Sequence, residues 1–178
     1  IRLIHRMLRA PVSVDGKVEQ REIGTPQGGP VSPVLANILL NELDQELTRR
    51  GHRFVRYADD MMIFCGSKKE AYHALEKIKP FIEGKLFLKI NVDKTKVRSI
   101  GSPDVKFLGF GFWIQRKGNG VSIVRDRPHK KSRDKCLSKL KELTSRSRGQ
   151  SLDAFRRKLK AYIYGWIGYF GRSSMAKF

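Results

Sequence analysis

Residues 54–64 read FVRYADDMMIF, two short runs of aromatic and large apolar residues separated by a pair of aspartates. Such runs are typical of β-strands, so the sequence predicts strands at 54–58 and 61–64 with Asp59 and Asp60 between them. Adjacent carboxylates are unfavourable at the tip of an apolar hairpin, and Mg²⁺ is a hard cation that binds carboxylate oxygens. Because side chains alternate along a strand, at most one of the pair can point directly into a shared site. A solvated, inert Asp-Asp turn explains these residues equally well when they are taken alone.

Upstream of this hairpin, residues 24–33 read GTPQGGPVSP, which is too rich in glycine and proline for regular structure. Glycine has no Cβ and so allows a backbone or a nucleotide to approach closely, and Gln27 offers both a donor and an acceptor. For this segment alone, a plain loop is the favoured interpretation. Ser32 followed by Pro33 predicts a helix with Ser32 as its N-cap, and Gly51 suits the residue past its end.

The rest of the pattern predicts strands and helices in alternation. An Asp-Gly turn at 15–16 predicts an early hairpin, and a helix over 69–83 is expected to kink or end at Pro80. Strands are predicted at 86–90, 96–100, 105–114 and 121–125, before two helices, the second capped by Ser151 and carrying an apolar stripe that favours a core role. The order predicts an α+β fold with a mostly antiparallel sheet, followed by a small helical unit. We place the two domains at 1–128 and 129–178.

Charge is the most informative feature of the composition. The chain of 178 residues has 37 Lys+Arg and 17 Asp+Glu, a net charge of +20. Residues 101–178 carry 19 basic and 5 acidic side chains, net +14, which indicates a polyanion partner. Each basic residue alone is more often a solvated charge, so the inference depends on the excess. The candidates for contact with a nucleic-acid backbone are Lys130, Lys131, Arg133, Arg156, Arg157, Lys158 and Lys160.

Two other classes of site lack support in the sequence. No apolar run approaches the roughly 20 residues that a membrane-spanning helix needs, and we expect no membrane partner. Cys65, Cys136 and the four histidines have no metal-ligand spacing, so a zinc site is not predicted.

The order of the motifs makes the interpretation specific. The Gly-rich segment at 24–33, a capped helix and then FVRYADD at 54–60 resemble the reverse transcriptases of group II introns and retrons. Residues 88–91 (LKIN) and 94–96 (KTK) resemble the next motif of that family, and 105–110 (VKFLGF) resembles its primer-grip hairpin. Residues 164–170 (YGWIGYF) resemble the thumb helix of group II intron proteins. The resemblance covers essentially the whole chain and implies a reverse-transcriptase palm followed by a helical thumb.

The resemblance also implies roles for individual residues. Asp59 and Asp60 would be catalytic and would bind metal, with two Mg²⁺ ions in the complete site. The nucleotide and template pocket would involve Gln27, Gly28, Gly29, Pro30 and Lys94, and the primer end would be held by Leu108, Gly109 and Phe110. For Lys94 a solvated surface lysine is an equally good interpretation, as is an apolar core hairpin for the primer-grip residues.

The implied activity is RNA-directed DNA polymerisation, in which a nucleotide is joined to a primer 3′-OH. The expected partners are template or intron RNA, a DNA primer and dNTPs, in a bacterial or organellar cytoplasmic setting. A second hypothesis is a maturase that binds intron RNA and helps it fold while its polymerase site is idle.

One departure from the family pattern concerns a third catalytic aspartate, which the resemblance implies on a strand upstream of the first long helix. Residues 1–23 contain one aspartate, Asp15, which is predicted to lie in a turn. The chain also lacks an initiator Met, and we interpret it as an internal part of a longer protein. We therefore expect this chain alone not to polymerise DNA, whereas the full-length protein would. A missing neighbouring strand would leave an open sheet edge and favour self-association.

Overall fold

The computed structural model of this chain describes residues 2–9, 11–14, 17–19, 31–118, 120–145, 149 and 151–174. These residues belong to two compact units, Ile1–Val97 and Arg98–Phe178. Both units combine helices with antiparallel hairpins, which confirms the predicted α+β class. The described strands form three separate two-stranded pairs. The predicted division into palm and thumb at residue 128 is based on role and stays a prediction.

The described part of the first unit contains a short helix, two hairpins and two longer helices. Its elements are α1 (Arg2–Leu8), β1 (Val12–Val14), β2 (Lys17–Glu19), α2 (Ser32–Arg49), β3 (Arg53–Tyr57), β4 (Asp60–Phe64) and α3 (Lys68–Pro80). Strands β1 and β2 pair as predicted, while the Asp-Gly turn between them lies outside the described residues. Helix α2 has Val31 as its N-cap and begins at Ser32, one residue before the predicted start. Gly51 follows its end with φ +74°, as the sequence predicts.

The core of this unit lies where α2 meets α3 and the turn that follows it. Leu43 and Leu47 of α2 are buried against Ile78, Ile82 and Leu86. The inward residues of β3 and β4 pack on the same cluster, as do the apolar residues after α3; the partly buried members are Leu40, Phe54, Met61, Ile63, Phe81, Leu88 and Ile90. The packing fixes the orientation of the β3–β4 hairpin relative to α2.

Pro80 ends the regular α-helical geometry of α3, as predicted. Residues Phe81–Lys85 continue as one wider turn of π-helix, in which the Leu86 N–H donates to the Phe81 carbonyl at 3.2 Å. Proline has no N–H and disturbs the preceding turn, and a π turn accommodates the disturbance. The wider turn brings Ile82 and Leu86 into the core.

Two of the predicted strands in this region are wrong. Residues 86–90 and 96–100 form no strand in the structure. The backbone of Phe87 is left-handed, with φ +53°, and its side chain is 85% exposed. Leu86, Leu88 and Ile90 nevertheless contact the core. The alternation of apolar residues therefore reflects an irregular segment that packs on one side, not a strand with a hydrogen-bonded partner.

The second unit is a long hairpin followed by two helices. Its elements are β5 (Phe110–Arg116), β6 (Ser122–Pro128), α4 (Lys130–Leu143) and α5 (Leu152–Phe170). Lys117 and Gly120 close the hairpin through a 3.1 Å hydrogen bond, which confirms the predicted turn. The predicted strand at 105–114 is wrong over its first half, because a tight turn precedes Phe110. The side chain of Ser151 caps α5 by accepting from the Ala154 N–H, as predicted.

The apolar stripe of α5 is buried less completely than the core interpretation predicts. Phe170 is 8% exposed, but Leu152 is 61% exposed and Ile167 is 51% exposed. The C-terminal end of the helix packs on the β5–β6 hairpin through Phe170, so burial is concentrated there.

Candidate active site

The two aspartates lie at the tip of the β3–β4 hairpin. Tyr57 pairs with Asp60, so Ala58 and Asp59 are the central residues of the turn. Asp59 and Asp60 are both exposed. Ala58 has φ +53°, and in two-residue hairpins with a left-handed first position glycine is the usual residue there. The tip is therefore a strained turn that presents two carboxylates to solvent.

Arg56 ties this tip to helix α2. Its Nε and Nη2 atoms donate to the two carboxylate oxygens of Asp44, at 2.8 and 2.6 Å. Its Nη1 atom donates to Asn37 Oδ1 at 2.9 Å and to the Ala58 carbonyl at 2.8 Å. The hydrogen bond to Asp44 raises the pKa of Arg56 above its ordinary value, and burial opposes this shift. The guanidinium therefore stays charged and joins the turn to a helix of the core.

This network was not predicted from the sequence, although the residues carry a signal for it. Side chains alternate along β3, and Phe54 and Arg56 are its inward positions. A charged side chain on an inward face needs a partner. Asn37 and Asp44 are seven residues apart, so they lie on the same side of α2. The inward arginine could therefore have been matched to that helix.

Asp59 and Asp60 are suited to bind a divalent cation together with substrate groups. Within the part of the chain that the structure describes, no hydrogen bond or ion pair occupies either carboxylate. No group of three or more His, Cys, Asp or Glu side chains among those residues could hold a metal. Mg²⁺ is usually bound by one or two carboxylates plus substrate phosphates and water, which a pair of exposed aspartates fits. Asp15 lies outside the described residues.

The predicted nucleotide and template residues are only partly described. Gln27, Gly28, Gly29 and Pro30 lie outside the described residues. Lys94 is exposed in a turn after the core, where its backbone N–H donates to Asn91 Oδ1 at 3.0 Å. Its role in nucleotide binding stays a prediction.

The predicted primer-grip residues form a tight turn in the second unit. Leu108 and Gly109 both have left-handed backbones, with φ +48° and +87°. Tyr169 Oη of α5 donates to the Leu108 carbonyl at 2.9 Å, and Ser132 Oγ of α4 donates to the Gly109 carbonyl at 2.8 Å. Phe110 stacks on Tyr169 with ring centroids 5.5 Å apart. Helices α4 and α5 therefore hold this turn in a fixed shape.

His129 reinforces the same turn from the start of α4. Its backbone N–H donates to the Gly109 carbonyl at 2.9 Å. Its Nδ1 atom accepts from the Lys131 N–H at 3.1 Å, so Nε2 is the atom that donates to the Pro103 carbonyl at 3.0 Å. Through its backbone and its buried imidazole together, His129 joins the Gly109 turn, the Pro103 segment and the start of α4.

We expect Gly109→Ala to lower the free energy of unfolding of the second unit by about 1–3 kcal/mol. An added Cβ would lie 3.1 Å from Phe170 Cζ, on a backbone that alanine rarely adopts. Gly118→Ala is the matched control, since a Cβ at Gly118 meets nothing within 4 Å. Urea unfolding of both variants measures the difference. Equal losses would show that the shape of the 108–109 turn does not matter for stability.

The predicted backbone-contacting residues lie on α4 and α5. Lys130 and Lys131 are exposed at the start of α4, and Arg133 is partly buried. The basic residues of α5 are exposed, namely Arg156, Arg157, Lys158 and Lys160. Lys160 Nζ lies over the Tyr164 ring, 5.5 Å from its centroid. The two helices present cationic side chains to solvent, which is what contact with phosphates requires.

A cavity of about 710 Å³ lies at the end of the β3–β4 hairpin opposite the aspartates, lined in part by Arg53, Phe64 and Cys65. Burial raises the pKa of the Cys65 thiol, and the nearby Glu70 carboxylate raises it further. The thiol is therefore protonated and unreactive at neutral pH. The catalytic role of Asp59 and Asp60, at the other end of the hairpin, stays a prediction. Within the described residues, no helix has the length and apolarity to cross a membrane.

Comparison with known proteins gives two family matches. Residues 1–112 match the model for reverse transcriptase (RNA-dependent DNA polymerase). Residues 133–178 match the model for the group II intron, maturase-specific domain.

Three relatives illustrate the similarity. Protein YkfC of Escherichia coli (strain K12) is 31% identical over 150 residues, covering 65% of this chain and 39% of that protein. Group II intron-encoded protein LtrA of Lactococcus lactis subsp. cremoris is 27% identical over 180 residues, covering 65% of this chain and 30% of that protein. Retron Mx65 reverse transcriptase of Myxococcus xanthus is 31% identical over 100 residues, covering 52% of this chain and 23% of that protein. The chain thus spans less than half the length of these relatives. With both models matched in order, the chain belongs to the group II intron reverse transcriptase/maturase family.

Proposed function

We propose that this chain carries the metal-binding and primer-binding part of an RNA-directed DNA polymerase that adds dNTPs to a primer 3′-OH. The observation that supports it most strongly is the position of Asp59 and Asp60 at an exposed hairpin tip of a reverse transcriptase family member, where no described residue bonds to either carboxylate. Bound Mg²⁺ would supply charge stabilisation for the attacking and leaving oxygens of an in-line displacement.

Each group of candidate residues has its own role in the proposed reaction. Asp59 and Asp60 hold the divalent ions by their carboxylates. The turn formed by Leu108, Gly109 and Phe110 positions the primer end, because its carbonyls are fixed by α4 and α5. Gln27, Gly28, Gly29 and Pro30 line the nucleotide and template pocket, and Lys94 neutralises the leaving pyrophosphate.

RNA-templated primer extension tests this proposal. The purified full-length protein is incubated with an RNA template, an annealed DNA primer, dNTPs and Mg²⁺. We expect DNA product that requires all four dNTPs and disappears when the template is digested before the reaction. A protein that binds the template but forms no product would contradict the polymerase assignment.

A second candidate function is RNA binding by a maturase without polymerase activity. The match of residues 133–178 to the maturase-specific domain favours it, as does the basic excess of the same region. Residues 130–178 carry 14 basic and 3 acidic side chains. The two functions can coexist in one protein, and splicing of a group II intron RNA with and without the protein measures the second directly.

We expect binding to structured RNA to weaken steeply with salt. If the basic residues of α4 and α5 contact about six phosphates, affinity falls about 10³-fold between 50 and 200 mM salt, since each contact releases counterions. A filter-binding titration over this range measures the slope. Affinity that does not change with salt would contradict phosphate contact by these helices.

The proposal also includes self-association through an open sheet edge. Among the described residues, β3 and β4 pair only with each other, which leaves their outer edges able to pair with another strand.

A further inference from the structure

We propose that Arg56 is a positioning residue for the aspartate pair, because it fixes the peptide that carries Asp59 to helix α2. This inference rests on the proposed function of Asp59 and Asp60. Its basis is the set of four hydrogen bonds from one guanidinium to Asn37, Asp44 and the Ala58 carbonyl.

Arg56 donates to a backbone acceptor in the turn, the Ala58 carbonyl. The Ala58 carbonyl and the Asp59 N–H belong to one planar peptide unit. A hydrogen bond of 2.8 Å to that carbonyl therefore sets the direction of the whole peptide from which the Asp59 side chain departs. Asp60, the next residue, begins β4 opposite Tyr57, so its backbone is already held by the strand pairing. Arg56 supplies the constraint that the pairing does not give to Asp59.

The backbone of Ala58 has a conformation that needs such a restraint. Its φ of +53° lies in the left-handed region, which L-residues adopt only when the surroundings hold them there. The carbonyl of this same residue accepts the hydrogen bond from Arg56 Nη1. Without it, the turn would relax towards conformations that alanine prefers, and the carboxylate of Asp59 would move with it.

The ion pair of Arg56 with Asp44 is held firmly on helix α2. The side chain of Arg56 is 12% exposed, and its ion-pair partner Asp44 is 27% exposed, so solvent competes weakly for this pair. Asp44 follows Leu43, which is buried in the core with Leu47. A planar guanidinium presents its donors in a fixed fork, and two of them engage Asp44 while a third reaches the turn. Arg56 therefore holds the hairpin tip in a fixed position relative to a helix of the core.

The alternative is that Arg56 and Asp44 form an ordinary ion pair that only stabilises the fold. The variant Arg56→Lys distinguishes this alternative from a positioning role. Lysine keeps the charge, but as a point donor it cannot match the fork geometry. Arg49→Lys is the matched control, because Arg49 also makes a two-point contact with a carboxylate of α2, Glu46, at 2.8 and 2.7 Å. Asp44→Asn provides a second variant that retains Arg56 but weakens its anchor.

Two measurements are made on these variants. The first is the amide chemical shifts and ¹⁵N relaxation of residues 58–60 in this chain, which need no polymerase activity. The second is the rate of single-nucleotide incorporation at saturating dNTP, together with the Mg²⁺ concentration for half-maximal rate, in the full-length protein. Active-site titration corrects each rate for the folded fraction.

We expect Arg56→Lys to change the shifts of residues 58–60 and increase their mobility. We also expect it to lower the incorporation rate about 10–100-fold, as misplacement of a reacting group does, and to raise the Mg²⁺ requirement. Asp44→Asn should act in the same direction, and Arg49→Lys should match the wild type. An unchanged turn in Arg56→Lys, or a rate loss fully explained by the unfolded fraction, would overturn the proposal. If the wild type itself forms no product, the proposed function fails, and the spectra alone still decide whether Arg56 positions the turn.

Discussion

Asp59→Asn is expected to reduce RNA-templated primer extension about 10³-fold or more. The amide is nearly isosteric with the carboxylate but carries no charge, so it binds a divalent ion far more weakly. A metal ion contributes several kcal/mol to stabilising the charge of a phosphoryl-transfer transition state, and about 4 kcal/mol corresponds to about 10³-fold in rate. Single-turnover incorporation of one dNTP measures the effect without interference from product release.

The control for this substitution is Glu76→Gln, which removes a carboxylate from an exposed position on α3. Both variants change the net charge equally, and both exchange a carboxylate for an amide. We expect Glu76→Gln to extend primers at the wild-type rate. RNA affinity should be unchanged in Asp59→Asn, because the basic helices of the second unit are untouched. An Asp59→Asn protein that extends primers normally would remove Asp59 from the reaction.

Leu47→Ala is expected to destabilise the first unit by about 2–5 kcal/mol. Leu47 is fully buried at the centre of the cluster with Leu43, Ile78, Ile82 and Leu86. Truncation removes favourable burial and leaves a cavity that the neighbouring helices can fill only in part. Urea unfolding of this chain, followed by circular dichroism, should show a lower midpoint with an unchanged slope.

Leu39→Ala is the control for this stability prediction. Leu39 lies on the same helix and is 40% exposed, so the change in helix propensity is the same while the loss of burial is smaller. We expect the cost at Leu39 to be well below that at Leu47. Equal costs would show that the interface of α2 and α3 is not the core that stabilises this unit.

The parts of the fold that the sequence predicts well are those with strong local signals. The β3–β4 hairpin follows from residues 54–64, where large apolar residues flank two aspartates. Ser151 caps α5 as its position before a periodic apolar segment indicates. Gly51 ends α2 with the left-handed backbone that glycine permits. In each case a few neighbouring residues determine the conformation, so no knowledge of distant contacts is needed.

The parts that local signals misassign depend on contacts distant in sequence. Residues 86–90 alternate like a strand, yet a ladder also needs a hydrogen-bonded partner, and none of the described strands pairs with them. The turn at Leu108 and Gly109 interrupts an apolar run because helix α5, some 60 residues later, supplies Tyr169 to its carbonyl. Such a partner cannot be read from the segment itself.

In the candidate site, too, one part follows from local sequence signals and another depends on contacts distant in sequence. Asp59 and Asp60 are identified by their position between two strands and by the order of the surrounding motifs. Their support by Arg56 requires that β3 face α2 in the observed register, with Asn37 and Asp44 opposite the strand. Periodicity places Arg56 on an inward face but does not say which helix covers it. The location of the aspartates at the hairpin tip was therefore predictable, whereas their contact with Arg56 through the turn was not, and their catalytic role stays a prediction.

The central claim is that the β3–β4 tip binds the catalytic metal, and affinity cleavage tests it most directly. Fe²⁺ replaces Mg²⁺ in a complex of the full-length protein with an RNA template, a DNA primer and a dNTP analogue that cannot react. Ascorbate and peroxide then generate hydroxyl radicals at the bound ion, and mass spectrometry locates the backbone cuts. We predict cuts centred on Asp59 and Asp60 that excess Mg²⁺ suppresses and that Asp59→Asn reduces. Cuts confined to other parts of the chain, or unaffected by Asp59→Asn, would contradict the claim.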